Sequence, residues 1–212
     1  MRDREKEMTR RARQELIPEE LPILRMIGRE LGHSEPAPAD SGPDPYKLPM
    51  SEEAWMAALA SFRPLIPPAH RQRFRLLALG LREGLLWSDQ VMDRYCGATC
   101  GQCGDFCCSA NGIYFDLADL LYLAGLDADL PMSQTRTRAN APCRYLSLEG
   151  CILPRMCRPF ICTWYLCEPQ MTLLAREPLP IQKQFTAIMR TVRSCRMQLV
   201  ALYEEGKAAD LA

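Results

Sequence analysis

Cys100-Gly-Gln-Cys103-Gly-Asp-Phe-Cys107-Cys108 puts four thiols within nine residues, closer together than separate packing roles in a core require. Five more follow at Cys143, Cys151, Cys157, Cys162 and Cys167, so nine of the eleven cysteines fall in one window. That density points to soft-metal chemistry, with enough thiolate for two mononuclear sites or one polynuclear site.

Length and composition bound the rest. The 212 residues are 48% hydrophobic and 25% charged, ordinary for a globular chain whose core forms partly without metal. Lys plus Arg equal Asp plus Glu at 26 each. A chain of zero net charge exerts no overall pull on nucleic acid or on an anionic membrane. The charged start, Met1-Arg-Asp-Arg-Glu-Lys-Glu, is not followed by an apolar run, so no secretory signal is expected. No stretch approaches about 20 uninterrupted apolar residues, so no spanning helix is expected either. With an odd cysteine count and no export signal, a reduced cytoplasm fits best, and there clustered cysteines are read as metal-binding or catalytic before they are read as disulfides.

Working outward from the cysteines, Asp116-Leu-Ala-Asp119-Leu-Leu-Tyr-Leu-Ala-Gly125 predicts an Asp-capped helix ended by Gly between the two cysteine groups. Upstream, Ser51-Glu-Glu opens a helix through Phe62, and a second runs from about Ala69 to Trp87 with Phe74, Leu77, Ala78, Leu81 and Leu85 on one face. Arg71, Arg75 and Arg82 on its other face read as solvated, since no aromatic stacking set accompanies them. Downstream, about Ile181 to Glu204 places Phe185, Ile188, Met189, Val192, Cys195, Leu199 and Leu202 on one face. Cys195 therefore reads as a buried structural thiol. Residues 33–50, with five prolines among small polar residues, read as a linker. Residues 1–32 read as a helical arm able to meet a protein partner, with Leu21, Leu24, Ile27 and Leu31 at helical spacing. The expected organisation is arm 1–32, linker 33–50 and helical cysteine domain 51–212, with a metal-binding core at 96–167.

Within the core, a C-x2-C pair lets two sulfurs converge on one ion at about 2.3 Å, and Gly101 and Gly104 let the backbone fold beneath it. Adjacent side chains such as those of Cys107 and Cys108 tend to diverge, which suits two metals, or one ligand beside a thiol that bridges or packs. Cys143, Cys151 and Cys162 are the candidates that close the shell, and Cys96, Cys157 and Cys167 are further candidates. The two histidines, His33 and His70, lie away from the cluster, so the site is thiolate-rich. Arg144, Arg155 and Arg158 stand among the cysteines, either as donors to sulfur or as surface charges. Cys96-x3-Cys100-x2-Cys103 also has the spacing of radical S-adenosylmethionine enzymes. No alternating strands and helices follow to build the barrel such chemistry uses.

Cys100-x2-Cys103-x3-Cys107-Cys108, Ile113-x-Phe115-Asp116-x-x-Asp119, Pro142-Cys143-x-Tyr-Leu, Gly150-Cys151-x-Leu and Arg158-Pro159-x-x-Cys162, in this order, resemble the YkgJ-type cysteine-cluster family. The resemblance covers roughly residues 96–167 and implies a zinc- or iron-chelating module. A related cysteine arrangement in flagellin lysine methylases implies that such a module can belong to an enzyme. Thr163 stands where members usually carry Arg, and Cys157 and Cys167 are additions to the pattern.

The expectation is a mostly α, irregular, metal-nucleated domain with helices packed around two cysteine-rich loops. It binds iron, as an iron-sulfur cluster, or zinc through Cys100, Cys103, Cys107, Cys108, Cys143, Cys151 and Cys162, with Arg144 and Arg158 donating to sulfur. The alternatives are a metal-dependent, methyltransferase-like modifying enzyme and a thiol redox or metal-delivery factor. No Gly-rich phosphate loop, HExxH or nucleophile elbow marks a catalytic centre.

Overall fold

Two long helices frame the molecule. In this computed structural model residues 17–31, 43–100, 103, 112–147 and 150–210 are described. Among them the order is α1 (Pro22–Leu31), α2 (Glu52–Ser61), α3 (Arg71–Thr99), α4 (Leu117–Gly125), β1 (Leu146–Ser147), β2 (Gly150–Cys151), α5 (Ile161–Trp164), α6 (Glu168–Arg176) and α7 (Leu179–Asp210). Short 3-10 turns occupy Pro68–His70 and Arg155–Cys157. The protein is mostly helical, and β1 and β2 pair antiparallel as a minimal hairpin.

The apolar faces read from the sequence are those that are buried. Phe74, Leu77, Ala78, Leu81 and Leu85 of α3 share one cluster with Ile188, Val192, Cys195, Leu199 and Leu202 of α7, and α4 closes it with Leu120, Leu121 and Leu123. α3 does not stop near Trp87. It continues to Thr99 because Val91, Met92 and Tyr95 extend the stripe onto Phe185 of α7. This extension carries the helix into the cysteine cluster.

The arm does not stand apart. Ile17, Leu21, Leu24 and Ile27 are all buried in the main cluster, and the Leu24 N–H donates to Glu83 Oε2 of α3 at 2.9 Å. Close approach is possible because Gly80 has no side chain: a Cβ there would lie 2.4 Å from Ile27 Cδ1. The arm face expected to be available for a protein partner is spent on the core over residues 17–28. Residues 1–16 and 32–42 lie outside the described residues.

Irregular segments are held by buried polar groups. The Gln134 amide accepts from Phe115 N and Thr135 N at 2.8 Å each, and donates to Tyr46 O at 2.7 Å and Phe115 O at 3.0 Å. All its bonding capacity is used inside the protein. Asp116 caps α4 in a reciprocal box with Asp119. Arg196 of α7 then bridges both carboxylates, at 2.7 Å to Asp116 and 2.5 Å to Asp119. Among the described residues no helix is long and apolar enough to cross a membrane.

Candidate metal centre

The cysteine window is entered from α3. Cys96 is half-buried on its last turn, Cys100 caps it, and Cys103 N donates back to Cys100 O at 3.1 Å. Cys100 and Cys103 are exposed. Cys107 and Cys108 lie outside the described residues.

At the other side of that segment the chain returns beside a second pair of cysteines. Ile113 O accepts from Thr135 Oγ1 at 2.5 Å, and Thr135 O accepts from Arg144 N at 2.8 Å. Thr135 thus ties the returning strand to the residue after Cys143. Cys143 opens the turn into the hairpin, its carbonyl accepting from Leu146 N at 3.2 Å. Leu146 in turn pairs with Cys151 across the hairpin. Burial pushes the Cys143 thiol up, against N–H groups of Tyr145 and Leu146 that face the sulfur and favour a thiolate.

Cys157 and Cys162 are half-buried on the 3-10 turn and on α5. Burial also raises the Cys157 thiol. This segment is fixed to the core without sulfur: Phe160 N donates to Asp119 Oδ1 at 3.1 Å, and the Arg196 guanidinium lies 4.4 Å from the Phe160 ring centroid. Thr163 is fully buried, its hydroxyl donating to Phe160 O at 2.6 Å. A longer side chain at that position would have to displace this enclosed packing.

The arginines divide. Arg144 pairs with Glu52 at 3.0 Å, and Arg158 Nε donates to Leu153 O at 2.9 Å, so these two expected sulfur donors bond to oxygen. Arg155 is the one at a sulfur. It is buried, ion-paired with Asp89 and with Asp93 at 2.6 Å, and its Nη2 is 4.0 Å from Cys96 Sγ. Asp89 and Asp93 lie one turn apart on α3 and present a carboxylate fork to it. Burial pulls the Arg155 guanidinium down, but Asp93, Cys96 and Asp89 more than restore it.

Gln170 is the participant that motif reading missed. Its Nε2 lies 3.5 Å from Cys96 Sγ, 3.8 Å from Cys100 Sγ and 3.3 Å from Thr99 Oγ1, while its Oε1 accepts from Cys167 N at 3.4 Å. Cys167-Glu-Pro-Gln170 has the form of a helix start, with Pro in the first turn and Gln three residues after the cap. Read that way, the sequence could have placed Gln170 at the first turn of a helix, but not against α3.

Among the described residues no three Cys, His, Asp or Glu side chains converge on one point that could hold an ion. No disulfide joins any two described cysteines. The described cysteines of the window include Cys96 and Cys100 at the end of α3 and Cys143 and Cys151 on the hairpin. Cys195 lies apart, fully buried between α3 and α7. His70 faces Glu205 at 3.7 Å, away from both pairs.

Comparison with protein-family models, curated proteins and solved structures finds no match to this chain.

Proposed function

We propose that the chain is a thiolate metalloprotein of the YkgJ type, holding iron as an iron-sulfur cluster or zinc through the cysteines that flank and fill residues 100–108. The observation that supports this reading is that Cys96 and Cys100 end α3 with nitrogen donors already aimed at their sulfurs, while Cys143 and Cys151 lie on the hairpin that Thr135 ties to Ile113. Cys107 and Cys108 would supply the sulfur between them. The donor set is soft and free of imidazole, which suits either metal.

The position of Cys100 favours metal over thiol redox chemistry. Reactive C-x-x-C thiols gain acidity from the positive end of a helix. Here the motif follows the C-terminus of a 29-residue helix, which offers no such positive end and whose partial negative charge favours a bound cation. The metal would also join the two cysteine-bearing stretches and order the irregular part of residues 96–167.

Anaerobic purification with metal analysis and an absorption spectrum tests the reading. An iron-sulfur cluster colours the protein through sulfur-to-iron charge transfer, and zinc leaves it colourless. Cys100→Ser and Cys103→Ser should each lose most of the metal, and Cys195→Ser should keep it. Equal metal content in all three variants defeats the assignment. If the ordering role is right, chelation increases amide exchange in 143–151 and leaves α7 unchanged.

A further inference from the structure

Cys96 and Cys100 are four residues apart at the end of α3 and so lie on one face of it. Their sulfurs meet the same amide nitrogen, Gln170 Nε2, at 3.5 and 3.8 Å. The orientation of that amide is fixed by its other end. Oε1 faces the Cys167 N–H, a group that can only donate, so the NH2 must be the end turned to the sulfurs. Gln170 is 4% exposed, and this contact draws α6 onto the end of α3.

A residue that served only to cap α6 would need an acceptor for the Cys167 N–H and nothing more. Two N–H groups that face Thr99 Oγ1 at 3.3 Å and the sulfurs of Cys96 and Cys100 at 3.5 and 3.8 Å are a separate feature. Donors of this kind stabilise thiolate and fix its direction when a metal binds, because a charged sulfur accepts a stronger bond than a thiol does. Arg155 adds a buried positive group 4.0 Å from Cys96 Sγ.

We propose that Cys96 and Cys100 form a two-sulfur clamp for a soft, thiophilic cation, and that Gln170 is the positioning residue that sets both sulfurs toward it. This makes Cys96 a ligand beside Cys100, and it rests on the thiolate-metal reading above. On binding, each thiol releases its proton to solvent and its sulfur forms the bond to the cation, with no change in oxidation state.

Gln170→Glu separates the two roles. Glutamate at the third helical position accepts the cap N–H as well as glutamine does, but it places a carboxylate against the two sulfurs and removes the donor. The full-length chain is titrated with Cd2+ against a competing chelator, following sulfur-to-cadmium charge-transfer absorbance. Gln170→Glu should keep the helical signal of the parent, melt at a lower temperature because the new carboxylate is buried, and bind Cd2+ about 10–100-fold more weakly. Cys96→Ser, nearly isosteric, should also bind more weakly and lose absorbance; it decides the matter if Gln170→Glu does not fold. Parental affinity in both Gln170→Glu and Cys96→Ser, with loss in Cys103→Ser, overturns this inference and leaves the metal reading standing. A parent chain that binds no Cd2+ overturns both.

Discussion

Cys195 and Cys103 bracket what the surroundings do to a thiol in this chain. Cys195 is fully buried, and burial pushes it up to about 12. At pH 8 its thiolate fraction is then about 10⁻⁴, and each unit of pH raises that only tenfold. Alkylation of the native, metal-free protein followed by mass mapping should modify exposed Cys100 and Cys103 and leave Cys195 untouched from pH 7 to 9. Labelling of Cys195 at the rate of Cys103 contradicts its place in the core. Arg196 belongs to the same scale. Burial pulls its guanidinium down and Asp119 and Asp116 restore it, while burial pushes Asp119 up against the pull of Arg196. Arg196→Met leaves two carboxylates with no counter-ion, and urea titration should show a loss of about 3–5 kcal/mol. A loss under about 1 kcal/mol would mean that the pair holds nothing. A residue such as Cys195 could be placed in the core from helical spacing alone. Gln170 and Arg155 could not, because they reach Cys96 across 74 and 59 positions, and nothing local in a sequence records such a contact.

At the scale of elements, the sequence is informative wherever one side of a helix is buried and its start has a chemical mark. Ser51 and Asp116 both cap the helices they open, as their types and the acidic residues after them suggest. Lengths were less legible. The far end of α3 rests on three residues, Val91, Met92 and Tyr95, whose partner Phe185 lies in another helix. α7 runs past Glu204 to Asp210 for a reason visible only in three dimensions. Gly206 lets the helix pass against the backbone of the chain leaving α2: a Cβ there would lie 1.6 Å from Leu65 O, and main chain cannot swing aside as a side chain can. Gly206→Ala should therefore cost about 1–3 kcal/mol, seen as a fall in Tm of about 2–12 °C. An unchanged Tm would show that the Pro64–Pro68 segment moves freely away from α7.

For the whole molecule, the question is what the arm does. Its composition and the prolines after it suggest an element on a tether, removable without effect on the rest. The packing argues otherwise. Leu24 is wholly enclosed and Ile27 nearly so, and Gly84 of α3 sits where a Cβ would meet Val192 at 2.4 Å and Leu24 at 3.2 Å, so α1, α3 and α7 share one close-packed seam. Ile17, Leu21, Leu24 and Ile27 each contribute about 1.5–3 kcal/mol by burial. Together they rival the 5–15 kcal/mol that holds a typical domain folded. Proline-rich composition describes the tether and not its ends, which is why the boundary at residue 32 marks no break in the core. Deleting residues 1–49 should therefore lower the Tm steeply or abolish cooperative unfolding by circular dichroism. The cysteine pairs hang from the far end of α3 and from the hairpin, away from α1. A truncated chain that still folds at low temperature should accordingly keep its metal, so that loss of stability and loss of metal come apart. If truncation leaves the melt unchanged, the seam between α1, α3 and α7 contributes nothing and the tether reading returns. If metal is lost while the helices persist, residues 1–49 contribute to holding the cysteine site.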